Sequence, residues 1–174
     1  EIYIDAVDRC IRLGRKAIVL VPEIALTHQT VDRFISRFPG QIAVLHSGLS
    51  AGERFDQWTK IRLGKCNVVI GSRSAIFAPQ PNLGLIVIDE EHEWTYKQEG
   101  TSPRYHSREV AIKASELTNA LVIMGSASPD VTSYYKGLRG EHRLLTLPNR
   151  VSIMNTISQE TRIAAMASVE IVDM

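Results

Sequence analysis

The sequence predicts an α/β domain: a parallel sheet with helices on both faces. Short β-branched runs alternate with longer amphipathic stretches along most of the 174 residues, the pattern βαβ units produce. Several of these runs are apolar throughout instead of alternating, as strands buried on both faces require. Acidic or small hydroxyl residues follow two of the most apolar runs, and doubly wound sheets place their ligands at that end of a strand.

The elements follow in order. Residues 1–14 have helical period, yet no initiator Met and no capping residue precede them, so we expect a piece of a longer protein. Strands are expected at 17–21, 42–46, 67–70, 85–89, 121–124 and 143–147, each a short run rich in Val, Ile and Leu. Helices are expected between them at 23–38, 51–63, 106–117 and 129–138. The last has Ser128 as its cap and Pro129 at its first position. The helix over 51–63 spaces Phe55, Trp58, Thr59 and Arg62 helically, which predicts Trp58 for the core. Residues 89–105 form the longest irregular stretch, and loops of that length inside a domain usually carry function. From Pro148 the alternation is lost until 169–172. Residues 1–150 are therefore expected as the domain, and 151–174 as a linker and the start of a following region.

Composition narrows the function classes without naming one. Apolar residues make up 44%, and 20 Lys and Arg against 19 Asp and Glu leave a formal charge of +1, so disorder is excluded. The apolar runs fall far short of a membrane span and no signal peptide is evident, which predicts a cytoplasmic protein with no membrane partner. Near-neutral charge removes any bulk electrostatic argument for nucleic acid, so such binding must rest on a local patch. Cys10 and Cys66 form no CxxC pair and the five histidines are scattered, so two free thiols and no zinc are expected.

The strongest constellation is Asp89-Glu90-Glu91-His92 at the end of an apolar run. Asp89 suits a hard cation such as Mg²⁺, and Glu90 suits orienting and deprotonating a water that attacks a γ-phosphate. His92 can reach a second motif or a phosphate. The plainer reading of the string is a strand that ends in a solvated acidic turn. A second apolar run leads into Gly125, Ser126, Ala127 and Ser128, where Ser128 alone also reads as a helix cap. Between them Trp94, Tyr96 and Tyr105 offer stacking faces and Lys97, Arg104 and Arg108 offer phosphate contacts, a mixture that suits single-stranded DNA. The same aromatics also suit a local hydrophobic cluster. Arg73, within Gly71, Ser72, Arg73 and Ser74, fits a phosphate contact or a surface turn equally well.

Together these strings resemble the first motor domain of superfamily 2 helicases. Asp89-Glu90-Glu91-His92 matches the DExH form of motif II, and residues 125–128 match motif III with Ser in place of the usual Thr. The run 19–29 resembles motif Ia and 69–79 the segment near motif Ib, which implies that Pro22, Glu23, Thr27 and residues 71–74 lie along the DNA track. Strings at 45–50, 88–98 and 103–108 sharpen the likeness to the PriA family of replication-restart helicases, over about the first 150 residues.

That resemblance implies a RecA-like P-loop NTPase fold, ATP and Mg²⁺ as cofactors, and single-stranded or forked DNA and other primosome proteins as partners. It also implies a bacterial, nucleoid-associated location. Glu90 and Asp89 with His92 would be the catalytic set, Asp89 the Mg²⁺ ligand, residues 125–128 the link to domain movement, and the loop with Trp94, Tyr96, Lys97, Arg104 and Tyr105 the DNA sensor. No Gly-x-x-x-x-Gly-Lys-Ser/Thr occurs in the chain. In the family that loop immediately precedes a Glu-x-Tyr helix like the one at Glu1 and Tyr3. The expectation is thus an incomplete domain, starting just past its P-loop and inactive alone, from a 3′-to-5′ helicase that remodels stalled forks. A RecG-like or RecQ-like motor is the same-class alternative, and a non-hydrolysing DNA- or protein-binding module the alternative from another class.

Overall fold

The computed structural model describes residues 1–147, 150–151 and 163–164. It divides into two units, Glu1–Asp130 and Val131–Met174. In the first unit α1 (Ile2–Arg12) leads into β1 (Lys16–Leu20), then α2 (His28–Arg37), β2 (Ile42–Leu45), α3 (Ala51–Arg62), β3 (Val68–Gly71), β4 (Leu83–Asp89), α4 (Ser107–Thr118) and β5 (Leu121–Gly125). Short 3-10 turns occupy Glu23–Ala25, Arg73–Phe77 and Trp94–Tyr96. The five strands form one parallel sheet in the order β2-β3-β1-β4-β5.

Alternate side chains of each strand face opposite sides, and both sides are covered. On one side Ala17, Val19, Val68, Ile70, Leu85 and Val87 pack with Val7 and Cys10 of α1 and with Phe34 of α2. On the other, Ile18, Leu20, Val69, Ile86 and Ile88 pack with Ile61 of α3 and Ala111 of α4. β1 and β4 lie at the centre and are almost wholly buried, which is why they read as unbroken apolar runs. Cys10 and Cys66 are free and buried.

The second unit contains α5 (Val131–Leu138) and a two-residue antiparallel ladder between β6 (Arg150–Val151) and β7 (Ile163–Ala164). The expected boundary near 150 falls inside this unit, and the run expected at 169–172 lies outside the described residues.

Four expectations are corrected. Residues 143–147 form no strand; Leu144, Leu145 and Leu147 are exposed there. The helix expected at 23–38 is interrupted, because the Thr27 hydroxyl accepts the Thr30 amide at 3.3 Å and caps a new helix from His28. Ser128 and Pro129 do not start α5: the Ser128 amide is given to Ser126 Oγ and the Asp130 amide to the Glu91 carboxylate, so the helix begins at Val131. Trp58 is not in the core. It is 38% exposed and Phe55 71%, because Ile61 is the α3 residue that reaches the sheet.

No described helix is long and apolar enough to cross a membrane.

Candidate active site

In a parallel sheet every strand delivers its following residues to the same edge, so the motifs converge there. Pro22 and Glu23 follow β1, residues 71–74 close and follow β3, residues 89–92 close and follow β4, and residues 125–128 close and follow β5. The centre of this edge is Asp89. The Tyr3 hydroxyl donates to Asp89 Oδ1 at 3.0 Å, and the Tyr96 hydroxyl donates to the Asp89 carbonyl at 2.7 Å. Burial and then the neighbouring Asp89 carboxylate push the Tyr3 phenol far above its ordinary pKa, and the same two causes act on Tyr96. Both phenols therefore stay protonated donors.

Glu90 follows with φ +46°, a left-handed conformation that a residue with a Cβ adopts at a cost of about 1–3 kcal/mol. The turn is closed by the Glu93 amide donating to the Glu90 carbonyl at 2.9 Å. Glu90 Oε2 stands 3.5 Å from His92 Nδ1, and that nitrogen lies 2.7 Å from Ser126 Oγ. Ser126 Oγ also accepts the Ser128 amide at 2.9 Å. A direct polar chain thus joins Glu90 and His92 to the residues after β5.

Two contacts went unforeseen. The first is Tyr3, for which the only sequence signal was a tyrosine on the first helix. The second is Glu91, which is 2% exposed. Its carboxylate pairs with Arg108 at 2.5 Å and accepts the Asp130 amide at 2.7 Å, while its own amide donates to the Gly125 carbonyl. A carboxylate beside an apolar strand needs such a partner, since burying it unpaired would be far costlier. The basic residue 17 positions on was the available signal.

The DNA-contact candidates separate by exposure. Trp94 is 75% exposed, and Lys97, Arg104, Ser74, Glu23 and Thr27 are also exposed. Lys97 pairs with Glu99 at 2.9 Å. Tyr96 is corrected: at 1% exposure it presents no face for a base to stack on, and works instead as a strut under Asp89. Tyr105 is half-buried against Phe77, ring centroids 4.9 Å apart at 78°. Pro22, Gly71 and Ser72 are buried; a Cβ on Gly71 would stand 2.2 Å from the Leu45 carbonyl oxygen. Arg73 donates to the Thr95 and Lys97 carbonyls at 3.1 and 2.8 Å.

With this geometry in place, the comparisons with known proteins decide the family. The model of the DEAD/DEAH box helicase family matches residues 3–136, which includes every motif at this edge of the sheet. The chain belongs to the DEAD/DEAH box helicase family. It is 53% identical over 152 residues to the replication restart protein PriA of Bacillus subtilis, a match covering 87% of this chain and 19% of that protein. It is 46% identical over 155 residues to PriA of Synechocystis, again 87% of this chain and 19% of the relative. The chain therefore spans about a fifth of the length of these relatives. Among solved structures, the C-terminal domain of the Saccharomyces cerevisiae protein Dbp5 aligns with TM-score 0.51 at 15% identity, over 80% of each chain. The fold is that of the RecA-like domains of helicases.

Magnesium, which the family implies, suits the donor set. Asp89 is a hard oxygen donor at a strand end, with Oδ1 engaged by Tyr3. Among the described residues no group of three His, Cys, Asp or Glu forms a cage for a metal.

Proposed function

We propose that this chain is part of the first motor domain of a PriA-like, DNA-dependent ATPase and 3′-to-5′ helicase that remodels stalled replication forks and starts primosome assembly. The observation that carries this reading is the Asp89–Glu90 pair at the carboxyl end of a central strand, tied through His92 to Ser126 on the next strand's exit. ATP is the substrate, and DNA, forked or single-stranded, is the stimulating partner. A bacterial cytoplasmic setting and contacts with other restart proteins belong to the same proposal.

Asp89 would hold Mg²⁺, which when bound would offset charge on the phosphate oxygens. Tyr3 fixes the Asp89 carboxylate by holding Oδ1, and Tyr96 fixes its carbonyl. Glu90 accepts the proton of the attacking water at its carboxylate, whose orientation the left-handed turn and His92 restrict. Ser126 and Ser128, with Gly125 and Ala127, pass movement between the hydrolytic edge and the rest of the motor. Trp94 stacks on a base while Lys97 and Arg104 meet phosphates.

In a strand-displacement assay on a forked DNA substrate, the full-length protein should unwind with ATP, and Trp94→Ala should weaken single-stranded DNA binding by about 1–3 kcal/mol. The 174-residue chain alone should not unwind the fork. Fork unwinding by that chain, or full-strength binding by Trp94→Ala, would overturn these assignments.

A further inference from the structure

Arg73 sits where the chain leaves β3, and β3 is separated from β4 by the whole width of β1. Its side chain reaches the loop that follows β4. One guanidinium nitrogen donates to the Thr95 carbonyl at 3.1 Å and to the Lys97 carbonyl at 2.8 Å, carbonyls of the two residues that flank Tyr96. The backbone carbonyl of Arg73 accepts the hydroxyl of Ser107, a fully buried residue at the start of α4, at 3.1 Å. Arg73 thus ties the Thr95–Lys97 turn of the loop after β4 and the start of α4.

The loop is closed on itself between those ties. Lys97 and His106 form an antiparallel bridge, the Gln98 amide donates to the Tyr105 carbonyl at 2.7 Å, and Phe77, at the end of the Arg73 turn, packs edge-on against Tyr105. From Tyr96 the path continues inward, its hydroxyl on the Asp89 carbonyl, one peptide from the left-handed Glu90. Every link is a direct contact, and hydrogen bonds from a guanidinium to carbonyls are of the stronger, charge-assisted kind.

We propose that Arg73 is a positioning residue for the Asp89–Glu90 end of β4, acting through the turn at Tyr96, and is not a phosphate contact for DNA. This rests on the reading of Glu90 as the hydrolytic base. A guanidinium withdrawn to a phosphate would leave both loop carbonyls without it and release the support under Tyr96.

The test uses the full-length protein and a single-stranded oligonucleotide, comparing wild type, Arg73→Gln, Tyr96→Phe and the double variant. A positioning role predicts unchanged DNA affinity and an unchanged dependence of affinity on salt, with DNA-stimulated kcat reduced about tenfold to a hundredfold, the scale set by small misplacements of reacting groups. The double variant should fall no further than the worse single one, because both cut the same path. A phosphate contact predicts instead weaker binding and a salt slope shallower by about 0.7 for single strands. That result, or losses that multiply in the double variant, would overturn the proposal. Amide hydrogen exchange in the same proteins provides a readout independent of turnover. Arg73→Gln should speed exchange at residues 89–97, and exchange unchanged there would overturn the proposal even if the hydrolytic reading of Glu90 had failed on its own.

Discussion

A Cβ on Gly125 would stand 1.8 Å from the Tyr3 hydroxyl oxygen and 2.9 Å from its ring, so this position tolerates no side chain while Tyr3 holds Asp89. The glycine of the second motif is therefore a space requirement imposed by the first helix. Gly125→Ala should destabilise the 174-residue chain by about 1–3 kcal/mol in urea unfolding, the usual cost of overpacking. Tyr3→Phe removes one hydrogen bond and leaves the ring, and should cost only about 0.5–1.5 kcal/mol. A neutral Gly125→Ala variant would mean that Tyr3 does not sit between β5 and Asp89. The acidic string at 89–92 was legible because its meaning is local: carboxylates ending an apolar strand. The Tyr3 contact was not, since it spans 86 positions and appears only when α1 packs on the sheet.

At the scale of elements, α4 carries a cap that titrates. The Arg108 amide donates to His106 Nδ1 at 3.2 Å, so the ring must be unprotonated at that nitrogen. Burial, and then the positive charge of Arg108, lower its pKa below the ordinary 6.5, with Glu109, Asp130 and Glu91 opposing. The unfolded chain thus takes up this proton first as pH falls. The contribution of His106 to stability is complete above about pH 6.5 and is lost as pH falls through 6.5 towards the folded-state value. Urea midpoints measured between pH 7.5 and 5 should fall less for His106→Asn, which keeps a cap acceptor without titrating, than for wild type; parallel curves would exclude the cap. The five strands of the sheet were readable as apolar runs, and four of the helices began within about two residues of expectation. The errors have local physical causes. Thr27 offers a better helix start than continuing from Glu23, the amides of Ser128 and Asp130 are claimed by Ser126 and Glu91, and the helical spacing of Trp58 does not say which side of α3 meets the sheet.

For the whole molecule, the parallel order β2-β3-β1-β4-β5 brings segments from residues 22, 71, 89 and 125 to one edge, and that convergence makes the candidate site. Strand type and crossover pattern were legible, because a sheet buried on both faces writes unbroken apolar runs into its sequence. The division of labour at the edge was legible only in part. Sequence offered Tyr96 as a DNA contact and Arg73 equally as a phosphate contact or a surface turn; folding turns Tyr96 inward under Asp89, and Arg73 donates to loop carbonyls, through partners 7 to 24 positions away. We propose Glu90, held at φ +46° beside His92, as the base of a DNA-stimulated ATPase. This role is tested most directly by steady-state ATP hydrolysis of the full-length protein with and without single-stranded DNA, wild type against Glu90→Gln, with DNA affinity measured in parallel. We predict that DNA stimulates the wild type, and that Glu90→Gln, which keeps the shape and removes the base, lowers kcat by about a hundredfold or more while DNA affinity holds. A Glu90→Gln variant as active as wild type, or a wild type without turnover, would contradict the account.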